Sequence, residues 1–335
     1  MTRFAPLQHP GPLIVGLDEA LPYPLQTGIA GTRDFGGLEI DLCRRLAERL
    51  GVELEFVTFP WTRIIDQLLG GAVDVVCSAA TITADRARQV RFSDPYLSFA
   101  LGWVTSADDP VLGGDDLGKR SVGVRKNTVA ESYVRSHLRA PEVRCYDQNQ
   151  PAYDGLRTRQ IELVIDDEPI ARWYAGNTPG LRFGGVIPDT RMSYGLMFSP
   201  ANPELQHAVN AVLRDLRTSG ILDQLRRATF PPPIARLWRG SVPAAKAAAY
   251  LGYLHETGLE DYRRTPGNEA VWVLSRTEGD TTEFLIVSLW ESLAAIRGFA
   301  GDDVEKARYY PEDAEYLLSF EPTVRHYEVW TELSD

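Results

Sequence analysis

The stretch Thr81-Ile82-Thr83-Ala84-Asp85-Arg86-Ala87-Arg88-Gln89-Val90-Arg91-Phe92-Ser93-Asp94-Pro95-Tyr96 decides how this chain is read. It follows Val73-Asp74-Val75-Val76-Cys77, a short apolar run of the kind that forms a buried strand. A Thr-x-Thr turn then delivers an arginine, and Phe-Ser-Asp-Pro-Tyr closes the stretch. A guanidinium offers a carboxylate two parallel hydrogen bonds, so an arginine at a strand-to-helix turn is a candidate anion clamp. Taken alone Arg86 reads as a solvated helix cation.

Working outward, strands and helices alternate. A strand over 13–17 ends at Asp18, and Leu38, Leu42, Leu46 and Leu50 keep helical spacing up to Gly51, a stop signal. A strand over 52–59, a helix over 63–69 and the strand over 73–77 follow. A second block repeats the order: strand 121–124, helix 129–138, strand 143–146, helix 151–157 and strand 163–165. A strand over 194–198 and helices over 203–216 and 221–228 complete it. The pattern predicts parallel sheets with helices on their faces. Pro231-Pro232-Pro233 is a stiff spacer and marks a domain boundary. Beyond it, strands over 234–240, 270–276, 283–290 and 324–331, with helices over 243–256 and 292–299, read as α+β.

The chain has 335 residues, which suggests two or three domains, and a formal net charge of -11. That balance, with no run of Lys or Arg, excludes a nucleic-acid partner. No apolar run reaches the length of a spanning helix or of a secretory core, so the expected location is cytoplasmic, with no membrane insertion. Cys43, Cys77 and Cys145 lack metal-like spacing and are expected to be buried, inert thiols. No cofactor or metal is expected, because no metal-ligand cluster, phosphate-cradling glycine loop or Gly-x-Ser-x-Gly elbow is present.

The central stretch, together with Gly36-Gly37-Leu38-Glu39-Ile40-Asp41-Leu42, the run Asp115 to Val124, Asp166-Asp167-Glu168-Pro169 and Asn202-Pro203-Glu204-Leu205, resembles the family 3 solute-binding proteins, in family order. The resemblance implies a two-lobed α/β, type II periplasmic-binding-protein-like fold that traps an amino-acid-like ligand as its lobes close. Residues 1–12 would be a tail, 13–101 with 195–230 one lobe, and 102–194 the other. It further implies that Arg86, with Ala79 and Thr81 just upstream, takes the ligand carboxylate. Thr128, where Asn127-Thr128 opens a helix, would add an anion-favouring terminus. Asp167 would accept the ammonium, Asp18 the amine or a polar side chain, and Trp61 would form an aromatic wall. Leu21, with Tyr23 nearby, stands where the family carries an aromatic residue. Arg125 in the second lobe's strand-to-helix loop and Asp166 beside Asp167 are additional rim charges, which suggests a ligand with a further charged or polar group.

Residues 234–335 resemble the antibiotic-biosynthesis monooxygenase-like family of ferredoxin-like domains. The matching text is Ile234 to Gly240, Thr265 to Asn268, Phe299 to Asp303, Tyr309 to Asp313 and Pro322 to Val329. That implies a dimeric α+β barrel and a homodimer through 234–330. His326, with Trp238, Trp272, Trp290 and Tyr309, is the candidate for a catalytic pocket there. Two functions follow: a cytoplasmic amino-acid binder dimerised by the barrel, or a biosynthetic enzyme working on an amino-acid-derived substrate. Cleft-fold dehydratases carry an acid three positions beyond the Asp167 equivalent. Ile170 stands there, although Glu168 is close.

Overall fold

A computed structural model describes residues 6–7, 9–20, 25–28, 35–109, 114–265 and 267–329. Leu21 and Tyr23 lie outside the described residues. The chain separates into two compact units, 1–230 and 231–335.

The first unit holds two five-stranded sheets. One is ordered Leu54–Phe59, Leu13–Asp18, Val75–Val76, Met197–Phe198, Arg91–Phe92, and its first three strands are parallel. The other runs Val143–Tyr146, Val122–Arg125, Leu163–Asp167, Leu101–Ser106, Leu181–Val186, again parallel over its first three. Leu97–Phe99 and Met192–Tyr194 pair antiparallel where the chain passes between the sheets.

Hydrophobic spacing explains the helices. Leu38–Leu50 turns Leu38, Leu42 and Leu46 into the core, and Gly51 stops it at φ 67, a left-handed conformation that glycine adopts without a Cβ penalty. The largest core cluster includes Val15 and Tyr96 from one sheet's side with Tyr153 and Val164 from the other's. No helix among the described residues is long and apolar enough to cross a membrane.

Two expectations need correcting. The apolar run 194–198 is not one strand: Met192–Tyr194 joins the crossing pair and Met197–Phe198 the first sheet. Cys43 and Cys77 are buried, but Cys145 is half-buried, its Sγ 3.1 Å from Arg135 Nη2 and 3.4 Å from Glu131 Oε1. Burial and that carboxylate raise its pKa, so the thiol form is favoured.

The second unit is an antiparallel sheet ordered Asn268–Glu278, Thr281–Trp290, Ile234–Pro243, Ser319–Phe320, with Arg325–Glu328 also on Ile234–Pro243. Residues beyond 329 lie outside the described part. Trp238, Tyr250, Tyr262, Phe284, Trp290 and Phe299 form its core. Period-two alternation puts the next residue of each strand on the opposite face. Val287 pairs with both Trp272 and Leu237 there, and Leu289 with Ala270 and Ala235. Trp272, Leu274 and Tyr327 on this face are about half exposed, at 49%, 51% and 50%. Trp272 therefore does not share a pocket wall with Trp238 and Trp290.

Candidate functional site

A cavity of about 30 Å³ lies where strand ends of the two sheets of the first unit converge. Asp18, Trp61, Ala79, Thr81, Arg86, Thr128 and Asp167 all line it, together with Arg125, Asn149 and Asp166.

Arg86 belongs to the single helical turn Ala84–Ala87, whose start is capped by Thr83 Oγ1 accepting from Arg86 N. Its guanidinium donates to the Thr81 carbonyl at 3.0 Å and, across the cavity, to the Asn127 carbonyl at 3.0 Å. These bonds use two of its five N–H groups. The guanidinium carbon lies 5.0 Å from the Trp61 ring centre, and Trp61 Nε1 donates to the same Asn127 carbonyl at 3.2 Å. Trp61 is thus engaged by Arg86 as a cation–π platform.

Asp167 ends Leu163–Asp167 and precedes the helix Glu168–Asn177, but its side chain makes no capping bond. Tyr194 Oη donates to Oδ2 at 2.7 Å, while Oδ1 is buried with no partner among the described residues. Burial, and then the neighbouring Asp166, push the Asp167 carboxyl up to about 7. Its Oδ1 lacks a donor, and an ammonium brings one together with a positive charge.

Asp166 is not a rim charge. It accepts from Asn149 Nδ2 at 2.5 Å, Tyr153 Oη at 3.1 Å and the Asp167 amide at 2.9 Å, so it is satisfied within its own lobe. Burial pushes it up to about 6. Arg125 is not a loop residue either: it ends the strand Val122–Arg125 and its side chain is 6% exposed. Its Nη1 and Nη2 grip Asp18 Oδ2 and Oδ1 at 2.6 and 3.0 Å. Asp18, expected to face a ligand amine, thus has both carboxylate oxygens committed to an arginine on the opposite lobe.

Thr128 caps the helix Val129–His137: Oγ1 accepts from Glu131 N at 3.3 Å and donates to the Arg125 carbonyl at 2.7 Å. The Glu131 carboxylate takes the Asn127 amide at 2.8 Å, so part of the expected anion-binding terminus is already satisfied. Ala79 sits at φ 46, a conformation costly for alanine. What holds it is Glu39, wholly buried, whose Oε1 accepts from the Ala79 amide at 2.6 Å while Oε2 accepts from Gln26 Nε2 at 2.6 Å. Tyr96 Oη also donates to Glu39, and burial pushes this carboxyl up to about 7. Sequence reasoning missed Glu39 as a supporting residue. The available signal was an acid between Leu38 and Ile40 on an apolar helix start.

In the second unit, His326 pairs with Arg236 on the inner face. Its Nε2 is buried without a partner among the described residues, and burial followed by the Arg236 charge lowers its pKa. A cavity of about 500 Å³ in this unit is lined by residues such as Asp261, Glu291 and Arg308, with His326 not among them.

Two α/β lobes on crossing strands, with opposed charged groups around a shared cavity, define a two-lobed small-molecule-binder fold. Residues 13–232 match the bacterial extracellular solute-binding proteins, family 3, and the chain belongs to that family. Among its relatives is the L-cystine-binding protein TcyJ of Escherichia coli (strain K12), 27% identical over 68% of this chain and 85% of that protein. A mutant of ArgBP from T. maritima is 30% identical, with a TM-score of 0.60 over 66% of this chain and 95% of its own. An ancestral arginine-binding protein bound to glutamine is 28% identical, with a TM-score of 0.61 over 67% and 99%.

Proposed function

We propose that the first unit binds a small amino-acid-like zwitterion between its lobes, with the carboxylate on Arg86 and the ammonium on Asp167. The observation that carries this reading is the pairing of an unsatisfied buried acceptor, Asp167 Oδ1, with a guanidinium that keeps free N–H groups on the same cavity. The relatives named for cystine and arginine support the ligand class. Isothermal titration with a panel of amino acids tests it. One of them binds, and Arg86→Ala weakens it by about 100-fold or more, since two charge-assisted hydrogen bonds are lost. Unaltered binding in that variant removes Arg86 from the site.

The second unit, whose sequence resembles the monooxygenase-like barrel domains, is proposed to pair two copies of the chain. Its support is the open sheet face that carries Trp272, Leu274, Leu285, Val287 and Leu237. Apolar side chains gathered on one sheet face gain by being covered.

A further inference from the structure

The Asp18–Arg125 pair has the geometry of a permanent fixture. The side chains are 1% and 6% exposed, and the two bonds are parallel, the arrangement in which a guanidinium and a carboxylate bind most strongly. Arg125 also donates from Nε to the Asp147 carbonyl at 3.2 Å and from Nη1 to Asn149 Oδ1 at 3.2 Å. Four of its five N–H groups are therefore used. Asp18 Oδ1 additionally accepts from the Ala20 amide at 3.2 Å. Each charge is spent on the other, inside the space around which the lobes close.

We propose that Arg125 sets the specificity of this cavity. By placing its own guanidinium against Asp18, it restricts the site to small zwitterions with uncharged side chains and excludes cationic amino acids. The proposal rests on the amino-acid reading and sharpens it. A ligand cation that reached Asp18 would displace Arg125 and leave that buried arginine without its bidentate partner, at a cost of several kcal/mol. A ligand side-chain carboxylate would meet an arginine already neutralised, with Asp166 and Asp167 lining the same cavity.

The test is calorimetric titration of the full chain with glycine, L-alanine, L-serine, L-glutamine, L-arginine, L-lysine and L-glutamate. The expected result is binding of a neutral amino acid, with arginine and lysine weaker by about 100-fold or more. Arginine within tenfold of the best neutral amino acid overturns the proposal and leaves the amino-acid reading standing. Arg125→Ala releases Asp18 and empties the guanidinium's place, so this variant is expected to gain arginine binding. A folded variant that still binds the neutral ligand but gains none for arginine also overturns it. Where the variant does not fold, the comparison of neutral and cationic ligands on the unaltered chain decides alone. No response to any of these ligands by the unaltered chain sinks the amino-acid reading, and this proposal with it.

Discussion

Asp167 carries a testable proton. Its carboxyl is pushed up to about 7, so it is largely protonated at pH 6, whereas accepting an ammonium requires the ionised form. Ligand affinity should therefore rise as pH climbs from about 5.5 towards 7, by up to tenfold per unit, and level off above. The binding itself releases protons. Titration in buffers of different ionisation heat reads that release, and Asp167→Asn should flatten the profile as it weakens binding. Glu39 and Asp166 share the elevated pKa without facing the ligand in this role, at about 7 and about 6. A folded-state pKa above the ordinary carboxylate range contributes stability below that range, which is lost as pH rises through the folded value. The unliganded protein should therefore melt at a higher temperature at pH 5 than at pH 8. Glu39→Ala leaves the Ala79 amide, Gln26 and Tyr96 without their buried acceptor. That change should cost about 2 to 4 kcal/mol in chemical unfolding, and a loss below about 0.5 kcal/mol would contradict the support assigned to Glu39.

Helices with strong periodicity were the most legible elements. Leu38, Leu42 and Leu46 with Gly51 fix Leu38–Leu50 because the apolar stripe and the left-handed stop agree. The 194–198 run was not legible as two strands. Its hydrophobicity is continuous, and only the pairing of Tyr194 with Leu97, far off in the chain, separates it from Met197. The seven expected ligand contacts face one cavity, but the commitment of Asp18 could not be read. Arg125 is 107 positions away, and neither residue's local pattern reveals the other. The cap on Val129–His137 serves the site as well as the helix, because the adjoining Asn127 carbonyl receives both Arg86 and Trp61. Thr128→Ala should cost about 1 kcal/mol of stability in urea unfolding. It should also weaken ligand binding more than a cap change on the remote helix Leu293–Ala300, such as Ser292→Ala.

For the whole molecule, the structure divides into two compact units, 1–230 and 231–335. The open face of the second unit's sheet predicts association. Light scattering of the full chain should give a dimer, and Leu274→Arg, on that exposed face, should give a folded monomer. An unchanged mass in that variant would direct attention away from this face. The first unit has a feature of its own with reach beyond one contact. Tyr194 belongs to a strand on which the lobes cross, yet its hydroxyl grips the very carboxylate left open on the opposite wall. A ligand ammonium on Asp167, as proposed above, would share that carboxylate with the Tyr194 hydroxyl. On that reading the crossing strand would act as a strain gauge for its own cargo, and a tyrosine probe at this position would report filling.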